Sequence, residues 1–573
     1  MDVNVEITKE KPPKSFQSVA GVIFSCLGCV IGTGNIWRFP RIVARNSGPE
    51  GAACFFIMWA ICLFTWSIPL LVIEYAIGRY SRVPPIRCIF YFFGKKGIIL
   101  GGWITFVNFF IGAYYMVILG WCLYYIYLPI KMSLPSEEVE SQKIFDDFVK
   151  SNWSFVPFTL CFIFISVSVL GGIKVIEKVN IVLVPVLLGI LLGIFFYSTT
   201  LPFSEFGFKF LFTGDWTTLA NPSLYLDAIS QNAFDTAAAS GLITAYAMYL
   251  TKENSIIRYS LFIPIVNNLV SLLASMTIFP TVFGLMMLKT PTITQTGIVT
   301  IIKGGGLAGT GLTFIWIPIL LETMGVFGRV LCSIFFICLS FAGISSLISN
   351  LELQTITLMG FGIKRRWSVL IIVASMFLFG SASVAELKFL VNQDFVWGFS
   401  LIVSGLIYIS LVIRYGPFNF RTKIVNEQKF KHDFNLPYIW VIVISVLAPI
   451  QAVALLIWWI YSEIIENSKT WYIPQWNSII TTWIEWTIFA LILIVVSLVI
   501  FQLDIDWIKS NTVYSNSLTM QDQSNIANSN KKLNHGFEND SNFIDGHSVD
   551  RVYMYDDTNQ RLSTFQYENS SAF

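Results

Sequence analysis

About twelve stretches of this chain are apolar for long enough to cross a hydrocarbon layer roughly 30 Å thick, and no other feature narrows the fold as far. They lie near 18–43, 52–79, 99–127, 156–172, 179–200, 225–250, 256–288, 326–360, 367–387, 394–415, 437–462 and 475–503. Backbone polar groups find no water inside lipid, so each span must satisfy them within itself as a helix. An all-α membrane protein follows. Composition agrees, with only 13% of the 573 residues charged, about half the ~25% of a soluble domain. Aromatics at 16% suit the ring belts of the two bilayer interfaces. A net charge of +2 gives no reason to expect nucleic acid as a partner.

The connections set the orientation. Lys and Arg gather after the second span (Arg79, Arg82, Arg87, Lys95, Lys96), the eighth (Lys364, Arg365, Arg366) and the tenth (Arg414, Arg421, Lys423, Lys429, Lys431). The loop after the third span is instead acidic (Glu137, Glu138, Glu140, Asp146, Asp147) and carries the sequon Asn152-Trp153-Ser154. Positive-inside logic puts both termini in the cytoplasm and that loop outside, where Asn152 is a glycosylation candidate. Residues 1–17 read as a polar cytoplasmic segment without the pattern of a cleavable signal, so an internal span is expected to target the chain. Residues 18–503 form the transmembrane domain. Residues 504–573, rich in Asn, Ser and Asp, are expected to be a disordered cytoplasmic tail. Its end, Ser571-Ala572-Phe573, fits a carboxylate ligand for a strand-adding scaffold domain.

Most of the nine Cys (Cys26, Cys29, Cys54, Cys62, Cys122, Cys161, Cys332, Cys338) fall in apolar runs, where thiols pack as small hydrophobes. The three His (His432, His535, His547) lie in a loop and the tail. No cofactor is expected, and no nucleophile–base pair or metal triad has the spacing of an enzyme.

The chemistry concentrates in Gly28-Cys29-Val30-Ile31-Gly32-Thr33-Gly34-Asn35-Ile36-Trp37-Arg38-Phe39-Pro40. Three Gly in seven residues predict a break in mid-span, and an Arg inside lipid costs at least about 2.5–3.5 kcal/mol. A break bares backbone carbonyls and amides whose dipoles can hold an ion and an anionic group. Gly28 and Gly32 alone would fit a close helix–helix contact equally well. Asn35 and Arg38, within two turns beyond, favour a binding site.

Gly34-Asn35-Ile36-Trp37-Arg38-Phe39-Pro40 resembles the first-helix signature of the neurotransmitter:sodium symporter family, nearer its bacterial-type branch. The resemblance continues through Ile68-Pro69-Leu70 with Glu74, Gly78 and Arg79, then Tyr114-Tyr115 with Gly120-Trp121. Gly172-Ile173 through Glu177-Lys178, Gln231 with Phe234, and Ala342-Gly343-Ile344-Ser345-Ser346 extend it. The family implies a leucine-transporter-like fold, two five-helix inverted repeats with discontinuous helices 1 and 6 around a midplane site. It further implies a plasma-membrane symporter that draws small amino acids or amino-acid-like solutes inward with sodium.

Carried over by position, one sodium would take the Gly28, Ile31 and Ala342 carbonyls and the Ser345 and Ser346 hydroxyls. Those hydroxyls could instead bond to carbonyls one turn back. The second sodium would take the Val30 carbonyl, the Asn35 and Asn267 side chains, and Asp235 where relatives carry Thr or Ser. Chloride-dependent relatives place a Ser at position 271, as here, and a Tyr where this chain has Trp59. The chloride cage is therefore incomplete, while Asp235 supplies a fixed negative charge, so chloride is not expected to be required. A protonated or proton-coupling Asp235 is the alternative.

The substrate pocket would comprise Thr33, Gly34, Ile111, Tyr115, Phe234, Ala237, Ser240, Ser346 and Asn350. Helix-end amides with a phenol suit a carboxylate. Amine-selective relatives carry Asp at the position of Gly32, so this chain is expected to take substrates that bring a carboxylate. Ser240 and Asn350 make the pocket roomier and more polar than one built for leucine. Arg38 and Asp394, where the tenth span is expected to open, match an outer gate pair, and Glu74 a buried structural carboxylate. The inner gate departs from the family, with Pro13 and Gly360 where relatives pair Arg with Asp, and Lys14 as a substitute. That departure, with Ala237-Ala238-Ala239 where relatives keep more Gly, leaves a non-transporting or channel-like sensor as the alternative.

Overall fold

The computed structural model describes residues 15–304 and 312–502. All regular elements among them are helical. The first span is broken: α1 (Val19–Val30) and α2 (Gly34–Arg45) meet at 52°. Ser18 caps α1 by accepting the Gly21 amide at 2.9 Å, which satisfies a donor that the helix start leaves free. Ile31, with ψ of 101°, turns the chain out of the helix.

Unbroken helices then follow as α3 (Ala53–Ser81), α4 (Lys96–Lys131), α5 (Asn152–Leu170) and α6 (Ile173–Thr199). The sixth span is again in two pieces, α7 (Pro222–Asp235) and α8 (Leu242–Ala247). The rest are α9 (Ile256–Lys289), α10 (Gly325–Met359), α11 (Arg365–Ala385), α12 (Leu387–Tyr415), α13 (Ile439–Glu466) and α14 (Ile479–Gln502). Among the described residues ten helices are long and apolar enough to span, eleven with α1–α2; the short pair α7–α8 supplies the twelfth segment read in the sequence. The acidic loop folds a helix of its own, Glu138–Lys150, and Asn152 is exposed beside it.

Packing sorts these helices into two shells. α4 and α10 pack along each other and, with α1, α3, α9 and α12, form the interior. α13 and α14 bury only 33% and 22% of their apolar windows. Their outward faces are Ile, Leu and Val, including Ile450, Ile457, Leu491 and Val495. An apolar outer surface of that extent is stable only against lipid. All nine Cys are free and buried. The expected tail at 504–573, its scaffold-binding end, and Pro13 and Lys14 lie outside the described residues.

Candidate substrate and ion site

Two helix breaks face one another across the bundle interior, and each needs a device to hold it open. At the second break the device is Glu74, fully buried on α3. Its Oε1 accepts the Ala239 amide at 2.7 Å, and its Oε2 accepts the Thr244 amide at 3.2 Å and hydroxyl at 3.1 Å. The carboxylate thereby takes over donors that the unwound strand and the first turn of α8 leave without intrahelical partners. It is the structural group the sequence suggested. Ala237 and Ala239 sit at φ of +51° and +68°. That left-handed geometry normally belongs to Gly, because a Cβ there crowds the next carbonyl.

Between the breaks lies a cavity of about 140 Å³. All nine residues assigned to substrate line it: Thr33, Gly34, Ile111, Tyr115, Phe234, Ala237, Ser240, Ser346 and Asn350. The Thr33 amide is not idle. It donates to the Tyr115 hydroxyl at 2.8 Å, and the Thr33 and Tyr115 hydroxyls lie 2.6 Å apart. The Thr33 amide and the two hydroxyls are thereby bonded to one another on the cavity wall. A Cβ on Gly32 would stand 3.2 Å from the Tyr115 hydroxyl and 3.3 Å from Ser346 Oγ, so any side chain at position 32 would press on that cluster. Asn108 was missed by sequence reasoning. Its side-chain amide donates to the Ser240 carbonyl and its own carbonyl accepts from Asn350 at 2.8 Å, tying α4 to the break and to α10. A lone Asn inside the apolar run 99–127 was the available signal.

The expected ion ligands fall into two clusters. In one, Ser346 Oγ crosses from α10 to the carbonyls of Ile31 at 3.1 Å and Gly28 at 3.3 Å. Ser345 does bond back to the Ala342 carbonyl within its own helix, at 3.0 Å. The two hydroxyls thus divide between the two readings given above. In the other cluster, Asn35 donates to Asn267 Oδ1 at 2.9 Å and to Ser271 Oγ at 2.8 Å. Ser271 in turn donates to Asp235 Oδ2 at 3.1 Å, and Gln231 donates to Asp235 Oδ1 at 2.7 Å. Val30 lines the same cavity. Asp235 ends α7, where the helix dipole is already negative, so the carboxylate gains from a cation beside it. Trp59 takes no part. Its ring packs on Phe39 at 4.5 Å and its indole nitrogen has no partner.

The end of the site that carries Arg38 and Asp394 stands open. Arg38, Phe234, Asp394 and Leu401 border both the central cavity and a vestibule of about 400 Å³. The Arg38 guanidinium stacks on Phe234 at 4.1 Å, while Asp394 accepts from Tyr114 at 3.0 Å. Among the described residues the two form no ion pair with each other. Asp394 also sits two turns inside α12 rather than at its start, because Glu386 caps the helix earlier by accepting the Lys388 amide at 3.1 Å.

The other end is closed by groups to which the sequence reading gave no gating role. Glu352 and Arg365 form an ion pair, and Tyr249 donates to Glu352 at 2.6 Å. Arg365 also reaches the Val169 carbonyl at 3.0 Å. Phe16 wedges its ring against Tyr246 and Tyr249 at 6.1 and 6.2 Å. Gln17 and Ser18 donate backbone amides to Glu177 at 2.9 and 3.1 Å. Gly360 has no side chain to contribute; Glu352, eight residues before it, pairs instead with Arg365, five residues after it.

Comparison with known proteins places this geometry. The model of the sodium:neurotransmitter symporter family matches residues 14–155 and 138–505. An uncharacterized sodium-dependent transporter of Methanocaldococcus jannaschii is 28% identical over 415 residues, 70% of this chain and 81% of that one. The sodium-dependent serotonin transporter of Drosophila melanogaster is 25% identical, covering 82% of this chain and 80% of its own. The mouse (Mus musculus) sodium-dependent neutral amino acid transporter B(0)AT1 is 24% identical, covering 80% and 83%. Among solved structures, MhsT in complex with L-phenylalanine shares the fold, with a TM-score of 0.66 at 24% identity, over 78% of this chain and 99% of that one.

Proposed function

Because the chain belongs to the sodium:neurotransmitter symporter family, we propose that it carries amino acids or amino-acid-like solutes inward on a sodium gradient, with no requirement for chloride. It is a multi-pass membrane transporter and not an enzyme. The observation that carries the chloride part of the proposal is the Asp235 carboxylate. It accepts from Gln231 and Ser271, the donors an anion would otherwise attract, directly beside the Asn35–Asn267 pair. A fixed charge there balances a bound cation without an added anion.

The amino-acid reading rests on the Thr33–Tyr115 pair and on Gly32, which stands where amine-selective relatives carry an Asp. Relatives named for neutral amino acids and a structural neighbour bound to L-phenylalanine point the same way. Ser240, Asn350 and Asn108 favour a polar side chain. In the working cycle, sodium and substrate enter past Arg38 and Asp394 while the Glu352–Arg365 end is shut. Closing the outer pair and parting the inner contacts would release both on the other side. Each sodium moving down about 100 mV contributes roughly 2.3 kcal/mol. In this reading the chain sits in the plasma membrane, with residues 1–17 and 504–573 cytoplasmic and Asn152 outside and open to glycosylation.

The test is uptake of a labelled amino-acid mixture into proteoliposomes, with and without an inward sodium gradient. Accumulation above equilibrium only with the gradient supports the symporter. Substrate-induced current without accumulation would instead support the channel-like reading.

A further inference from the structure

Asn180 on α6 is fully buried, and neither its Oδ1 nor its Nδ2 has a hydrogen-bond partner. A primary amide left in that condition carries its desolvation penalty uncompensated. Within the membrane, where no bulk water relieves it, such a group marks a site that some ligand satisfies. Its surroundings say which. Asn180 Oδ1 stands 3.0 Å from the position a Cβ on Gly28 would take, with Ser345 Cβ 3.1 Å from the same point. Gly28 is the residue whose carbonyl already meets the Ser346 hydroxyl, and the Ile31 carbonyl joins them. The absence of a side chain at position 28 is what lets the amide come so close.

We infer that the Asn180 amide oxygen is a further ligand for the sodium held by the Gly28 and Ile31 carbonyls and the Ser346 hydroxyl, on the α6 side of that site. The chemistry fits a hard monovalent cation, which prefers neutral oxygens in number and needs no carboxylate. Placement also suits an ion that must leave. Glu177 lies three residues before Asn180 on the same helix face. It is held by the Gln17 and Ser18 amides and the Ser18 hydroxyl, the segment that leads into α1. A Cβ on Gly21 would collide with Glu177, so α1 and α6 meet at two glycine–polar contacts, Gly21 with Glu177 and Gly28 with Asn180. When the N-terminal segment releases Glu177, the sodium has an oxygen-lined route from Ser346 past Asn180 toward that end.

This inference rests on the sodium-symporter reading, and its test separates the two. Radiosodium binding to the purified full-length chain is measured beside sodium-dependent uptake, for wild type, Asn180→Leu and Asn180→Asp. The expected result is sodium affinity weakened at least about tenfold in Asn180→Leu, the scale seen when a supporting oxygen of a metal site is lost. Asn180→Asp, which keeps the oxygen and adds charge, should bind sodium more tightly than wild type and release it more slowly. Unchanged sodium affinity in Asn180→Leu, with a raised melting temperature from deleting an unpaired amide, would overturn the inference. If Asn180→Leu does not fold, unchanged binding in Asn180→Asp overturns it equally. Wild-type protein that binds sodium but does not transport would count against the symporter reading alone.

Discussion

The two helix breaks solve the same problem by different means. The first is built from Gly32 and Gly34 and presents neutral carbonyls and amides, joined to α10 through Ser346. The second is built from Ala237 and Ala239 held at positive φ, with a carboxylate on either side of it: Asp235 at the end of α7, and Glu74 beneath. A neutral break can accept a cation and release it with little electrostatic penalty. A break that carries its own charge is strained and polarised until a cation arrives. Under the proposed function, the charge balance of this transporter comes from one half-helix end and not from solution.

Four substitutions probe that contrast. The largest effect is expected for Asp235→Asn, which keeps the shape and deletes the charge. Removing one partner of a buried charge pair costs about 3–5 kcal/mol, so sodium-driven uptake should fall at least about a hundredfold. Sodium affinity unchanged in the variant, with altered dependence of uptake on external pH, would assign Asp235 to a proton instead.

Next comes Glu74→Gln. One of its two oxygens becomes a donor facing donors, so at least one charge-assisted bond to Ala239 or Thr244 is lost. The cost is about 1.5–3 kcal/mol. It is read as a lower melting temperature in detergent, with the chloride response untouched.

Ser346→Ala tests the neutral side. Loss of one hydroxyl from the Gly28–Ile31 set should weaken sodium affinity about tenfold, roughly 1.4 kcal/mol, and leave uptake indifferent to chloride. A sodium affinity equal to wild type would remove Ser346 from the ion site.

The smallest effect belongs to Ala239→Gly. Relief of the left-handed strain gains about 1–2 kcal/mol, and the freer unfolded chain takes back about 0.4–1. A net stabilisation of about 0.5 kcal/mol is expected by thermal unfolding. Destabilisation would show that the alanine methyl, not the backbone, matters at the break.

Much of this was legible in the sequence because lipid enforces it. A span must be apolar over a fixed length, so Glu74, Asp235 and the Gly28–Gly34 cluster stand out against the background. The order of motifs then located the nine cavity residues. What was hidden depends on contacts between segments far apart in the chain. The Glu352–Arg365 pair forms only because the turn at 360–364 folds α11 back on α10, and searching positions 13 and 360 could not reveal it. Asn180, near the start of the fifth span, carries no mark in the sequence, since its lack of partners is a property of packing. The division between Ser345 and Ser346 likewise depends on which face of α10 meets α1.

The proposed function has Asp235 stand in for chloride. It is tested most directly by replacing chloride with gluconate on both sides of proteoliposomes and measuring sodium-driven uptake by wild type and by Asp235→Ser. The expected result is wild-type uptake indifferent to the exchange, and uptake by the variant that becomes dependent on chloride. Wild-type uptake that disappears with chloride would contradict it.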